Sequence, residues 1–561
     1  MSNHNGKQKQ NTMFGGVAIL AAGIAIVKLI GALFKIPLFN VLGETGSADF
    51  YNAYSIYAVL LTVSTAGLPV ALSKTVAEAN TLGRHNQKQR VFRVALSAFL
   101  TMGLASFIVM WFGADWLAGL MNNSHAAPGI RALAPAVVCV GCLSAFRGYA
   151  QGHMNMTPTS VSQIIEALCK LILGLALASF IMSRTFTGAM AQEQTSLAAA
   201  GAITGVTVGT VLALVYMAVN YLRTRTRAER GGTDRPDGAG HIFKNLMRIA
   251  VPITLSTSLV PIINVLDNAL VQGQLQDALG MTEQASRALY GNYTVAVSLH
   301  NLPGSFMTAL TAAIIPAVSA ALARGNRDGS ARITGSVLRI TGLLAMPMGV
   351  GLLVLARPIM KLLYPRYNVT LTGPMLAILG PAAVCVCLVL VCNAVFQAYG
   401  HVFLPIATTL VGGAVKIIAN YNLVSVPDIH IYGAPVGTLL CYVVVLLLDL
   451  ILLRRIVPGI GRYAKVFGKP LLASTVMGAA AWAGYGLLER LLIGVPAFQS
   501  VGAQGTGAAV LSGAGNALAV FLAIGGAAVL YLVLVVAMRA VSRDDVLLMP
   551  KGEKIAKILR F

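Results

Sequence analysis

The chain has 561 residues, of which 57% are hydrophobic and only 11% charged, and its formal net charge is +22. A soluble protein of this length would form several domains and carry about 25% charged residues. The composition therefore excludes an ordinary soluble enzyme and predicts an all-α, polytopic membrane protein.

Apolar stretches long enough to cross a bilayer follow one another along the chain. The first, MFGGVAILAAGIAIVKLIGALF, has no small-residue cleavage site and leads into further spans, so we interpret it as a transmembrane helix and not as a signal peptide. About fourteen transmembrane helices are predicted, at residues 14–36, 50–72, 91–112, 131–149, 159–182, 197–222, 246–272, 290–316, 334–355, 375–397, 403–424, 434–453, 466–488 and 516–538.

The basic residues lie unevenly between the two sides of these spans. Most of the 41 Lys and Arg residues fall in alternate segments on the same side as the N-terminus. Cytoplasmic loops carry such an excess, so the pattern predicts a cytoplasmic membrane protein with both termini in the cytoplasm. The positive charge then faces anionic lipid headgroups, and no nucleic-acid partner is needed to explain it.

Span one carries two lysines, Lys28 and Lys35, seven residues apart and on nearly the same helical face. An ionisable side chain inside a bilayer costs roughly 2.5–3.5 kcal/mol on insertion scales. Each lysine could extend its ammonium group to the headgroups, an alternative that suits Lys35 better than Lys28. If both line a cavity, they match a substrate that carries a phosphate or diphosphate.

Spans four and five contain Arg147, Glu166 and Lys170. Glu166 and Lys170 are four residues apart, so they are expected to form a pair on one helix face. That pair is either structural or exchanges partners as the protein moves. Arg147 is interpreted as an anchor at the cytoplasmic end of span four, and His153 as a turn residue.

A hydrophilic segment, RTRTRAERGGTDRPDGAGH, separates spans six and seven. Its Gly, Pro and mixed charges indicate a cytoplasmic linker. The predicted organisation is an N-terminal six-helix lobe, the linker, a C-terminal six-helix lobe, two additional helices and a basic cytoplasmic tail, at residues 1–222, 223–245, 246–455, 456–540 and 541–561.

The two lobes repeat short patterns in the same order. RGYAQGH, from Arg147, matches VFQAYGH, from Val395, and each is followed by a proline and then by a lysine, Lys170 in one copy and Lys416 in the other. YNAY at the start of span two matches YGNY at the start of span eight. Parallel repeats of six spans predict two lobes related by an axis along the membrane normal, with a binding site between them.

Span seven holds Asp267, with Asn264 and Asn268 close on the same face. A carboxylate beside amide oxygens is a candidate to bind Na⁺ or to carry a proton. The driving force is therefore expected to be Na⁺, H⁺ or the membrane potential, with no other cofactor. His300 in span eight is either a cavity residue or a histidine satisfied within the bundle.

Two basic segments lie outside the spans. Residues 356–374 carry Arg357, Lys361 and Arg366 and are predicted to form a short amphipathic segment or a cationic rim. The tail, which carries Lys551, Lys554, Lys557 and Arg560 among apolar residues, is predicted to be a cytoplasmic interfacial helix. The chain has no G-x-x-x-x-G-K-[ST] loop, and its seven cysteines lie in apolar stretches without zinc-site spacing, so no ATP or metal site is predicted.

Three stretches, GLPVALSKTVAEANTLG, RGYAQGHMNMTPTSVSQIIEALCKL and NLPGSFMTALTAAIIPAVSAALARGN, resemble the stage V sporulation protein B/YtgP branch of the polysaccharide-export flippases, and more distantly the MurJ lipid II flippases. The resemblance covers nearly the whole chain and extends to the superfamily of the MATE antiporters. It implies two six-helix lobes in a V plus two C-terminal helices, with a cationic cavity lined by spans one, two, seven and eight.

The resemblance implies no enzymatic activity but a flippase for a lipid-linked, polyprenyl-diphosphate oligosaccharide or peptidoglycan precursor, with Lys28 and Lys35 binding the diphosphate. MurJ proteins typically carry further arginines on the second and eighth helices. Here span two has no basic residue before Lys74 and span eight has none, so the resemblance implies an anionic polyprenyl-linked sugar in general and not lipid II in particular. The alternatives are a MATE-like drug antiporter, which would need an acidic cavity, and a membrane glycosyltransferase or polymerase.

Overall fold

A computed structural model describes residues 2–186, 189–224, 234–461, 463–501 and 509–540. The predicted basic tail at 541–561, including Lys551, Lys554, Lys557 and Arg560, and linker residues 225–233 lie outside this part of the chain. The structure divides into two compact units, Met1–Gly291 and Asn292–Phe561.

The first unit is built entirely from helices in its described residues. They are α1 (Ser2–Thr65), α2 (Gly67–Thr81), α3 (His85–Phe112), α4 (Ala114–Leu120), a 3₁₀ turn (Ser124–Ala126), α5 (Ala127–Gly152), α6 (Thr157–Cys169), a π-helical turn (Lys170–Gly174), α7 (Leu175–Met182), α8 (Ala189–Thr224), α9 (Ala239–Asp277) and the first part of α10 (Glu283–Ala323).

The second unit continues α10 and adds one short hairpin. Its elements are α11 (Arg327–Val354), α12 (Ala356–Leu363), α13 (Val369–Ala398), α14 (Leu404–Val424), a 3₁₀ turn (His430–Tyr432), α15 (Gly433–Ile456), α16 (Tyr463–Ile493), a 3₁₀ turn (Pro496–Phe498), β1 (Gln499–Val501), β2 (Ala509–Leu511) and α17 (Gly513–Ala537). The antiparallel strands β1 and β2 pair Ser500 with Val510.

The predicted all-α membrane architecture is confirmed. Twelve helical segments of the described chain are long and apolar enough to cross a bilayer. The first of them, Ile26–Thr81, extends over parts of two predicted spans, and α10 covers the predicted span at 290–316. Counted in this way, the helices are consistent with fourteen spans.

Helix α1 is interrupted between the predicted spans at 14–36 and 50–72. Gly43 has φ 69° and ψ −170°, a conformation that glycine adopts without the steric penalty of a Cβ atom. The break separates the part of α1 that carries Lys28 and Lys35 from the part that carries Asp49 and the aromatic side chains that follow it.

The predicted repeat of helix, turn and proline-initiated helix is present in both copies. Helix α5 ends at Gly152, and Pro158 lies in the first turn of α6. Helix α13 ends at Ala398, and Pro405 lies in the first turn of α14. Proline is favoured there because backbone N–H groups in the first turn have no acceptor within the helix, so a residue without an N–H loses no hydrogen bond.

Helix α9 belongs to the first compact unit, where it packs on α1 and α2. Its close approach depends on Gly67, because a Cβ atom at that position would lie 2.0 Å from the carbonyl oxygen of Ala250. The predicted lobe boundaries at 1–222 and 246–455 therefore differ from the two compact units, and the lobes themselves stay a prediction.

Candidate functional site

A cavity of about 430 Å³ opens beside the N-terminal helices of the first unit. Its wall is made by both parts of α1 together with α5, α6, the π-helical turn and α8. Among the residues that the structure describes, three basic side chains and one acidic side chain line it, alongside aromatic and apolar residues. The polar and aromatic members are Lys28, Phe34, Tyr54, Tyr57, Thr65, Ser144, Arg147, Gln163, Glu166 and Lys170.

Glu166 forms an ion pair with Arg147, whose Nη2 lies 3.0 Å from Oε2 of the carboxylate. The Arg147 Nε donates a second hydrogen bond to the Ser162 hydroxyl at 2.9 Å. The predicted pair between Glu166 and Lys170 is thus not the one the structure forms. The guanidinium from α5 has two acceptors on α6, which hold it more firmly than a contact between flexible side chains on one helix.

Lys170 instead faces two aromatic rings. Its Nζ lies 5.1 Å from the ring centroid of Phe34 and 4.8 Å from that of Tyr54. Such cation–π contacts are worth about 0.5–2 kcal/mol, and they leave the positive charge available to an anion because no carboxylate of the described residues forms an ion pair with it. Lys170 also begins the π-helical turn, an irregularity that is frequent at functional sites.

Lys28 and Lys35, the lysines of span one that are predicted to bind the substrate, have different surroundings. Lys28 is exposed and lines the cavity. Lys35 lies about two turns further along α1, where it is half-buried and does not line the cavity. It is nevertheless close enough to Lys170 and Lys28 for their charges to act on its ammonium group. The basic side chains that line the cavity are therefore Lys28, Arg147 and Lys170, whereas Lys35 is not part of its lining.

The predicted ion-coupling residues lie elsewhere in the first unit. Asp267 and Asn268 are buried on α9, and Asn264 is half-buried one turn before them. The Asn268 side-chain amide donates a hydrogen bond to the Ser55 hydroxyl at 2.9 Å. None of these three residues lines the cavity around Lys28, so their role in binding an ion stays a prediction.

Lys416, the repeat counterpart of Lys170, is buried in α14 of the second unit. Its charge acts on His300 of α10. The Nδ1 atom of His300 lies 2.9 Å from the carbonyl oxygen of Leu379, so this histidine is held within its bundle. His153 lies in the turn that follows α5, as predicted, and His401 lies at the corresponding place after α13.

Known proteins resemble this chain both in sequence and in fold. Residues 14–322 match the family model described as "Polysaccharide biosynthesis protein". The chain belongs to this family. Two proteins of Bacillus subtilis are similar to this chain over most of their length. The lipid II flippase MurJ is 25% identical over 83% of this chain and 87% of its own, and stage V sporulation protein B is 23% identical over 84% and 89%.

Solved structures agree with the family's fold. The lipid II flippase MurJ in an inward closed conformation matches with a TM-score of 0.67 and 13% identity, over 93% of this chain and 98% of that one. An inward-facing multidrug resistance MATE transporter of the MOP superfamily matches with a TM-score of 0.58 and 15% identity, over 77% and 98%. The predicted MurJ-like and MATE-like fold is thereby confirmed.

The chain has a second cavity, of about 880 Å³, in its second unit. The segment at 356–374 does form a short helix, α12, and its Arg357 and Lys361 line the cavity with Arg490 of α16. The Lys361 ammonium donates to the carbonyl oxygen of Leu511 at 2.7 Å. Trp482, Tyr485 and Glu489 of α16 also line it, so the cavity has basic, acidic and aromatic lining residues.

Sequence reasoning missed two buried charged features. Asp49 and Arg287 form a buried ion pair, although both had been assigned to loops between predicted spans. Asp449 lies buried in α15, within the apolar run VVVLLLDLILLRRI. The sequence signal for Asp449 is a lone Asp inside an otherwise apolar run, and it was not considered beside Asp267 as a candidate acid.

Proposed function

We propose that this protein is a flippase that moves a lipid-linked, polyprenyl-diphosphate oligosaccharide or peptidoglycan precursor across the cytoplasmic membrane by alternating access. The observation that carries the proposal is the cavity lined by Lys28, Arg147 and Lys170. Glu166 is the one acid among the lining residues that the structure describes, and it already forms an ion pair with Arg147. Two lysines are thus left to attract the diphosphate.

The cationic cavity suits an anion more than it suits a drug cation. A bound diphosphate would neutralise Lys28 and Lys170, and Tyr54 and Phe34 beside Lys170 offer surfaces on which a sugar ring can pack. The polyprenyl tail would stay in the lipid. A MATE-like antiporter of cations would need acidic lining, so the charge distribution argues against that alternative.

The relatives support a transport function for the same chemical class. Two of them, in sequence and in solved structure, carry the name lipid II flippase. Because no bond of the substrate has to be made or broken, the protein acts through electrostatics and a shift between conformations. The orientation with both termini in the cytoplasm, expected from the basic loops, would let the diphosphate enter from the side where precursors are made.

The test is transbilayer movement of a fluorescent polyprenyl-diphosphate glycolipid in proteoliposomes. The double variant Lys28→Gln/Lys170→Gln should lose at least about tenfold in rate, because both uncompensated charges are removed. Lys74→Gln is the matched control, since that lysine is exposed and pairs with Glu78. Movement by the wild type that the double variant retains would refute this site, and no movement of any anionic glycolipid by the wild type would refute the function.

The glycosyltransferase alternative is tested in the same vesicles. A transporter returns the glycolipid with its sugar chain unchanged, whereas a transferase or polymerase would lengthen or cleave it. Mass spectrometry of the recovered lipid separates these outcomes, and a covalently altered sugar would overturn the proposal.

A further inference from the structure

Asp449 lies in the second unit, on α15, about 10 Å along the helix axis from the last residue, Ile456. Its side chain is fully buried. Neither carboxylate oxygen has a hydrogen-bond partner among the described residues. Buried carboxyl groups in proteins are normally hydrogen-bonded or paired, so this one stands apart from the other buried acids that the structure describes.

The groups that face Asp449 are mostly apolar. Leu453, one helical turn along α15, belongs to an apolar cluster that includes Phe396 of α13. From α13 the neighbouring titratable group is the Cys392 thiol, and from α14 the polar neighbour is Thr408, whose hydroxyl donates to the carbonyl oxygen of Pro405.

More distant charged or titratable groups complete the surroundings. Lys416 lies two turns further along α14, and Arg454 lies five residues on, near the end of α15 itself. From α16, the Tyr463 hydroxyl donates to the carbonyl oxygen of Leu450 and so is already engaged. None of these groups forms an ion pair with Asp449 in the described part of the chain.

An ionised carboxylate in such surroundings would be strongly unfavourable, because the facing side chains of the described residues offer one hydroxyl, that of Thr408, and no paired charge to replace its lost hydration. A metal cation is a poor substitute, since a hard cation requires several oxygen ligands and the facing side chains offer one hydroxyl. We propose that Asp449 is a proton-binding site: its carboxyl is protonated in this arrangement of α13, α14 and α15 and releases the proton when these helices move and admit water.

This site gives the transporter a means of coupling to protons. Binding of the proton favours the packed arrangement of the three helices, and its loss favours an arrangement in which the carboxylate is hydrated, so proton binding biases a conformational equilibrium. The coupling to transport rests on the proposed function, whereas the protonation of Asp449 does not.

Infrared difference spectroscopy of the purified full-length protein in lipid tests the protonation directly. A neutral carboxyl in apolar surroundings gives a C=O stretching band that is distinct from that of an ionised carboxylate. The wild type should show this band at neutral pH, Asp449→Asn should lose it, and Asp449→Glu should shift it. Asp428→Asn is the matched control, because that aspartate is exposed in a turn of the same unit and should leave the band unchanged. Identical bands in wild type and Asp449→Asn would overturn the proposal.

Transport in proteoliposomes under an imposed pH gradient tests the coupling separately. Wild-type flipping should respond to the gradient, Asp449→Asn should lose that response, and Asp449→Glu should retain it. A response that survives in Asp449→Asn would overturn the coupling role. If the wild type flips no glycolipid while the infrared band is lost in Asp449→Asn, the proposed function fails and the proton site stands. Should Asp449→Asn not fold, the shifted band of Asp449→Glu decides, and an unshifted band refutes the site.

Discussion

Arg287 and Asp49 form a buried two-point ion pair in which Nε donates to Oδ1 at 3.0 Å and Nη2 to Oδ2 at 2.6 Å. Asn123 donates a third hydrogen bond to the same carboxylate at 3.0 Å. The pair joins the start of α10 to the segment that follows the break in α1 at Gly43. Three donors compensate one buried acid, which makes this connection sensitive to the loss of either partner.

Removing one partner of this pair should destabilise the protein strongly. Arg287→Leu or Asp49→Leu leaves an uncompensated charge or unpaired donors in a site where the two side chains are 4% and 1% exposed, and the expected cost is about 3–5 kcal/mol. Thermal unfolding of the purified protein in detergent measures the change. The double variant Asp49→Leu/Arg287→Leu should recover part of the loss, because it leaves no lone charge behind.

The pair formed by Arg131 and Asp115 serves as the matched control. Its side chains are 41% and 73% exposed, so Arg131→Leu should cost no more than about 1 kcal/mol. Equal effects for the exposed and the buried pair would contradict the role assigned to burial.

Gly291 lies where α10 approaches the turn after Gly43. A Cβ atom there would lie 1.7 Å from the carbonyl oxygen of Glu44, so Gly291→Ala should force the helices apart and lower the unfolding temperature. Gly525 on α17 has no atom within 4 Å of the same position, and Gly525→Ala should stabilise its helix by about 0.5–1 kcal/mol. Opposite signs of the two shifts, measured under the same conditions, are the expected result.

Much of the fold could be predicted from the sequence because spans are long and apolar, and because proline and glycine mark the turns. The helices that begin near Pro158 and Pro405 followed from these local signals. The partners of charged side chains did not, since they depend on contacts between helices. Spacing on one helix suggested that Glu166 pairs with Lys170, whereas the packing of α5 on α6 brings Arg147 to Glu166.

The same limit applies to the pair formed by Asp49 and Arg287, which are 238 positions apart in the sequence. No local pattern links two residues at that distance, and each taken alone resembles an ordinary loop charge. Lys28 could be selected because an isolated lysine in an apolar span is unusual. Lys170 was recognised as a repeat position, but its contact with Phe34 and Tyr54 required the structure.

Glu166→Gln should strengthen anion binding at the cavity. The change removes the one acid of the lining, so Arg147 keeps its Ser162 contact and its charge is no longer offset. Titration calorimetry with inorganic pyrophosphate should show an affinity increase of roughly twofold to tenfold, which corresponds to up to about 1.4 kcal/mol. Glu78→Gln, at an exposed pair with Lys74, should leave the affinity unchanged. Weaker binding in Glu166→Gln would mean that the carboxylate positions the cations and does not compete with the ligand.

The linker contributes a contact that its composition does not reveal. The Asp234 carboxylate accepts hydrogen bonds from the backbone N–H groups of Asn86 and Gln87, at 2.8 and 2.9 Å, at the start of α3. Asp237 adds an ion pair with Arg84 at 3.1 Å. Residues 234–238 therefore hold the end of the linker against α3 and cap two N–H groups that have no partner within the helix.

This cap should be pH-dependent. Desolvation raises the pKa of Asp234, but the N–H groups of Asn86 and Gln87 outweigh it and hold the pKa below its ordinary value. Because the pKa is lower in the folded protein, the contribution is complete above the unfolded value of about 3.9 and is lost as the pH falls below it. Asp234→Ala should therefore speed hydrogen exchange of the Asn86 and Gln87 amides at neutral pH by about fivefold, equivalent to about 1 kcal/mol. Asp428→Ala, at an exposed turn, should leave these amides unchanged, and equal exchange in Asp234→Ala and wild type would show that the linker does not cap α3.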